Sequence, residues 1–146
     1  MIMDKLLLLS NAQAVTSTAA STDVIDMGVT QNIYPGGELE VYAVVTTAFT
    51  AAGAATMVVT FEGSVDNSAW TVMAQSPAIA VASLVAGARI VQWSVPGMVA
   101  GQSMPRYFRL QYTIATGPMT AGNLTAGINL DVQLDRAYPP GITISN

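Results

Sequence analysis

Apolar and polar positions alternate most cleanly between Tyr107 and Ile114. Phe108, Leu110, Tyr112 and Ile114 share one side; Tyr107, Arg109, Gln111 and Thr113 share the other. That period of two is the mark of a strand with one buried face. A break rich in Gly and Pro follows, from Ala115 to Gly122. A second run then places Leu124, Ala126, Ile128, Leu130 and Val132 on a common side. Two such runs joined by a glycine-containing loop predict a β-hairpin with a long connection, taken as the spine of an all-β domain.

The rest of the chain repeats the pattern. Leu39, Val41, Ala43 and Val45 oppose Glu40, Tyr42 and Val44. Met57–Val65 predicts a strand with Met57, Val59, Phe61 and Val65 inside. Asp66–Ala69 is a turn, and Trp70–Ala74 is the answering strand, with Trp70 in the core. Ser76–Gly87 is ambiguous between helix and strand. It is read as a short strand, then at most one helical turn near Ser83–Ala86. Arg89–Val95 alternates again and stops at Pro96. A short strand is expected within Asp23–Gly28. Pro35-Gly36-Gly37 and Pro139-Pro140-Gly141 are turn signals. Ala12–Thr22 shows no useful periodicity and is read as extended and loop-like. Thr46–Thr56 is apolar but loop-like: either a long hairpin connection or a contact tip carrying Phe49. Regularly spaced strands with turns between them predict one β-sandwich or barrel. The expected division is an arm over residues 1–22, a sandwich over 23–135 and a tail over 136–146.

Met1–Leu9 needs its own reading. Lys5, four leucines and Ala12-Gln13-Ala14 imitate a secretion signal. The apolar core of such a signal runs to ~7–15 residues, and here Ser10 and Asn11 interrupt after Leu9. A membrane-crossing helix needs ~20. The segment is therefore expected to be an arm or first strand, covered by the core or by a partner.

Composition narrows the function classes. The chain has 146 residues, a length natural for one domain. Only 10% of residues are charged, against about 25% in an average soluble protein. The net charge is −4 with 5 basic residues, which cannot form a nucleic-acid stripe or an anionic-membrane patch. Low charge also suits a surface that an assembly covers. With no His and no Cys, His-based acid–base catalysis, Ser-His-Asp and Cys-His sets are excluded. Zinc loses its two commonest ligand types.

The remaining chemistry is sparse. Asp131 and Asp135 could in principle approach Asp4, Asp23 or Asp26 as a carboxylate pair, but acids that solvate turns and edges are the favoured explanation. Asp66-Asn67-Ser68 has too few carboxylates for a calcium loop. A Ser–Lys pair would rest on Lys5 alone. No catalytic residue, metal or cofactor is therefore assigned. Arg106 and Arg109 flank Tyr107, a combination shared by interface hot spots and by solvated strand faces. Tyr34 and Tyr138, each beside a turn, are candidate exposed aromatics. With Met1, Ile2, Met3, Leu6, Leu7 and Phe49, these residues form the candidate contact set.

Several stretches resemble the small capsid cement proteins of tailed bacteriophages. They are Asp4–Gln13, Thr18–Thr22, Val24–Gly28, Gly63–Trp70, Ala78–Gly87, Pro105–Tyr112 and Thr120–Gly127. Each is short, and their order and spacing carry the likeness. The resemblance implies a jelly-roll-like antiparallel β-sandwich without enzyme activity. It implies a homo-oligomer on the outer surface of the virion, where it clamps neighbouring major capsid protein subunits; a dimer is favoured over a trimer, a choice the resemblance does not make. Met1–Leu9 and Thr46–Thr56 are then expected at contacts. Other readings are a secreted carbohydrate-binding module and a tail or head-fibre subunit.

Overall fold

The computed structural model describes residues 4–30, 39–96 and 103–130. Among these residues ten strands run in chain order: β1 Leu8–Ala14, β2 Ala19–Ala20, β3 Ile25–Asp26, β4 Leu39–Ala51, β5 Thr56–Ser64, β6 Trp70–Gln75, β7 Ile79–Ala80, β8 Arg89–Ser94, β9 Tyr107–Ala115 and β10 Met119–Leu130. Single 3-10 turns occupy Lys5–Leu7 and Val81–Ser83. All pairings are antiparallel. One sheet has the order β1-β10-β4-β8; the other has β2-β9-β5-β6, with β3 also on β9 and β7 also on β5.

Six of the nine connections pass from one sheet to the other, while β2–β3, β5–β6 and β6–β7 stay within the second. Taking β2 and β3 as one interrupted edge, this is the order of a jelly roll, two sheets wound together from Greek keys. The molecule is a single-domain, all-β antiparallel sandwich.

The expected central hairpin does not form. β9 lies in the second sheet beside β5, and β10 lies in the first beside β4 and β1. The loop at Thr116–Pro118 crosses between layers, helped by positive φ at Thr116 and Gly117. Alternation along each run told which side is buried; it could not tell which strand supplies the hydrogen bonds. β5 and β6 do form a hairpin through the Asp66 turn.

The core lies between the sheets. Val41, Ala43 and Val45 of β4 meet Met57, Val59 and Phe61 of β5, with Phe108, Leu110 and Tyr112 of β9 and Leu124, Ala126 and Ile128 of β10. The Phe61 and Phe108 rings stack at 5.7 Å with 10° between planes, an arrangement that adds to simple burial. Tyr112 crosses the core, and its hydroxyl meets Ser10 Oγ at 2.8 Å. Ser10 also donates to Gln13 Oε1, which accepts from Thr22 N–H as well. These bonds tie β1 to the segment that follows it and to the opposite sheet.

Four local expectations change. Thr46–Thr56 is mostly strand: β4 runs on to Ala51, β5 starts at Thr56, only residues 52–55 form a connection, and Phe49 is only 5% exposed. Its ring sits against Gly122, where a Cβ would collide with it. Ala12–Thr22 contributes the end of β1 and all of β2. Val65 lies outside, in the turn after β5. Trp70 pairs with Ser64 on the solvent side of the second sheet, and is half-buried rather than part of the core. Tyr42 is buried although its strand neighbours Val41 and Ala43 point to the core. It pairs with Gly127, over which the Leu7–Leu8 backbone closes so tightly that a Cβ would come within 2.6 Å of the Leu7 carbonyl oxygen.

Candidate functional site: the outer face of the second sheet

The solvent side of the second sheet gathers most of the described chain's distinctive chemistry. Cross-strand register sets the rows. Trp70, Ser64, Tyr107 and Asp26 lie side by side across β6, β5, β9 and β3; Val72, Glu62 and Arg109 form the next row. Alternation in β9 sends Phe108 and Leu110 inward, so Tyr107 and Arg109 must face out.

Arg109 Nε donates to Glu62 Oε2 at 2.8 Å, directly across the strand pair. Its guanidinium also lies 4.1 Å from the centroid of the Trp70 ring. The two ion-pair side chains retain only 23% and 12% exposure. Such a pair is partly desolvated and fixed by two contacts, unlike a free surface ion pair. The indole is correspondingly covered by a cation.

A second pair sits one row away. Arg106 Nε and Nη2 donate to Asp26 Oδ1 and Oδ2 at 2.6 and 2.8 Å, a bidentate fork. The same guanidinium is 5.0 Å from the Tyr107 ring centroid. The Arg106 hydrogen bond, the Gly28 N–H and the Arg106 charge together lower the Asp26 pKa to about 2. Val72, 53% exposed, adds an apolar member beside Glu62.

Of the residues chosen from sequence, the fold brings Arg106, Tyr107 and Arg109 together here. Leu6 is 83% exposed on the turn before β1, while Leu7 is partly buried against the core. Phe49 is withdrawn from the contact set, because it fills the core beside Gly122. Met1, Ile2, Met3, Tyr34 and Tyr138 lie outside the described residues. Leu9 is fully buried. Removing Met1–Leu9 would thus cut into the core as well as the arm. Sequence reading missed Glu62, Trp70 and Asp26 as members of the face. The outward phase of Glu62 within the β5 pattern was a usable signal; its pairing with Arg109 needed the strand order.

Among the described residues, no group of three or more His, Cys, Asp or Glu side chains could hold a metal ion. No described helix is long and apolar enough to cross a membrane.

The fold thus defines the class: a single-domain antiparallel β-sandwich with a structured aromatic and arginine face. Over residues 9–128 the sequence matches the Bbp16 family, and the chain belongs to that family. No curated protein matches it in sequence.

Proposed function

We propose that this protein is a capsid cement protein. It binds the outside of an icosahedral phage head as a homo-oligomer and bridges neighbouring major capsid protein subunits. The reading is that of a structural part, not an enzyme. The observation that carries it is the Trp70–Arg109–Glu62 and Tyr107–Arg106–Asp26 face. Arginine and aromatic side chains are the residues that anchor interfaces. Here they are held in place before any partner arrives, so little side-chain freedom remains to be lost on binding. The resemblance of the sequence to cement proteins supplies the partner.

The physics of clamping is mass action. A protein that binds the assembled shell better than free subunits stabilises the shell. A specific contact buries about 800 Å² per partner. A secreted sugar-binding module would want an open aromatic platform, whereas Arg109 covers the Trp70 ring.

The test is co-sedimentation of the purified protein with isolated empty heads of its phage, with its mass in solution measured by light scattering. Saturable binding at fixed stoichiometry, weakened by Trp70→Ala, is the expected result. A monomer that ignores heads ends this reading and directs attention to a glycan screen.

A further inference from the structure

Beside this face, at the end of the β5–β6 hairpin, lies a pocket of about 330 Å³. Ligand-binding clefts run from ~300 to 1,000 Å³, so this one suits a single side chain better than a larger ligand. It shares Ser64 with the candidate face. Apolar Met73, Pro105 and Val65 line it together with polar Asp66, Thr71 and Ser103. Gly63 lines it too, and a Cβ there would come within 2.9 Å of Met73 Sδ and Pro105 Cβ. Val65 is 46% exposed and Met104 49%, which leaves apolar surface at and beside the opening.

Asp66 is used unevenly. Oδ1 accepts from Ser64 Oγ, Ser68 N–H and Ala69 N–H at 3.0, 2.9 and 2.9 Å. These bonds hold the turn and, through it, the carboxylate. No hydrogen bond from the described residues reaches Oδ2. The N–H groups of Ala69 and Ser68, with the Ser64 hydroxyl, lower the pKa of this carboxyl. An ionised carboxylate with open acceptor positions therefore belongs to the lining of a partly apolar slot. Lysine and arginine have the complementary shape: an apolar stem and a cationic head. Asp26 and Glu62 differ, since Arg106 and Arg109 already occupy them.

We propose that this pocket receives a lysine or arginine side chain of the partner protein, its stem along Met73, Pro105 and Val65 and its head on Asp66 Oδ2. The assignment of that partner to the phage shell rests on the cement reading; the pocket's selection of a cation does not.

The full chain is titrated with N-acetyl-lysine methylamide, N-acetyl-arginine methylamide and N-acetyl-norleucine methylamide, following Ala69 and Thr71 amides and the Met73 methyl by NMR. The expected result is several-fold stronger binding of the two cations than of norleucine, with the preference lost in Asp66→Asn. That variant keeps an oxygen for the turn, and an unchanged melting temperature verifies the fold. Equal binding of norleucine, or no shift at these residues with amide on the order of tens of millimolar, overturns the proposal.

In the second arm, wild-type protein and Asp66→Asn are compared on heads. An affinity loss of about tenfold is expected, the worth of one charge-assisted hydrogen bond. Equal affinity refutes the pocket's role at the shell while leaving the cement reading intact. Failure of wild-type protein to bind heads ends the cement reading, and the amide titration still decides the cation preference. A change of oligomer size in Asp66→Asn would place the cation on a second copy and overturn the shell assignment.

Discussion

A double-mutant cycle on Arg109 and Glu62 tests whether the candidate face is rigid in solution. Arg109→Met keeps the apolar stem and removes the guanidinium. Glu62→Gln keeps an acceptor and removes the charge. Exposed ion pairs contribute about 0–1 kcal/mol, and breaking a fully buried one costs about 3–5 kcal/mol. At 23% and 12% exposure this pair lies between those limits. Arg109→Met also removes the contact with Trp70, worth about 0.5–2 kcal/mol. The single variant should therefore lose about 2–3 kcal/mol. Glu62→Gln, which retains a neutral bond, should lose about 1 kcal/mol. The double variant should be no worse than Arg109→Met alone, because no carboxylate is then left unpaired. A coupling of about 1 kcal/mol or more is expected from urea unfolding at constant m-value. Additivity within about 0.5 kcal/mol would show an ion pair screened by water, and a face not organised in advance.

Other expectations follow from single contacts. Gly122→Ala drives a methyl group into the Phe49 ring at a positive φ of 137°, so a loss above about 4 kcal/mol is expected, read as a lower urea midpoint. Burial raises the Tyr112 pKa above its ordinary value of 10.0, while the Ser10 bond lowers it only in part. Its contribution is complete below pH 10 and is lost as the pH rises further; its phenolate absorbance should appear only with unfolding, and earlier ionisation would contradict the burial. Asp26 has a depressed pKa of about 2, so its contribution is present above 3.8 and fades as the pH falls towards 2. A carboxyl-carbon NMR midpoint near 4 would mean that the Arg106 fork does not persist in solution. Leu6→Ser, at an exposed position, should change stability by no more than about 0.5 kcal/mol yet weaken binding to heads or self-association; unchanged assembly would free the arm of that role.

The buried faces were legible in the sequence because strand alternation depends only on neighbours along the chain. Phe108, Leu110 and Tyr112 were placed inward, and Leu124, Ala126 and Ile128 likewise, and they are so. Partner choice was not legible. A Gly-rich break can close a hairpin or carry the chain between layers, and Thr116–Pro118 does the latter. Phe49 misled because its Thr- and Ala-rich neighbours look like an exposed loop, whereas Gly122 on β10 opens the space that buries it. Trp70 misled in the other direction. Aromatic size favours burial, yet β5 places this ring on the outer row, where Arg109 supplies the cover. Arg106, Tyr107 and Arg109 could be singled out by composition; their acids came from β3 and β5, far along the chain.

The pairing of charges within the sheet bears on how such a face can work. Arg106 and Arg109 are each neutralised by an acid of their own molecule, so a partner need not supply compensating charge. Its contribution comes from covering Trp70, Tyr107 and Val72 and from excluding water around pairs already formed. Burying an already hydrogen-bonded pair costs less than burying separated ions, although the remaining polar atoms still need partners. With few charges left to steer encounter, the rate of association at this face should depend only weakly on salt. Asp66 is arranged differently, with one oxygen spent on its turn and the other open to a partner. On the proposed reading, the two regions divide the labour: the paired face supplies area, and the pocket beside it supplies selection and register. That division suits a part added in many copies to a finished shell, where each modest contact must form only at the correct place and the stability sums over the copies.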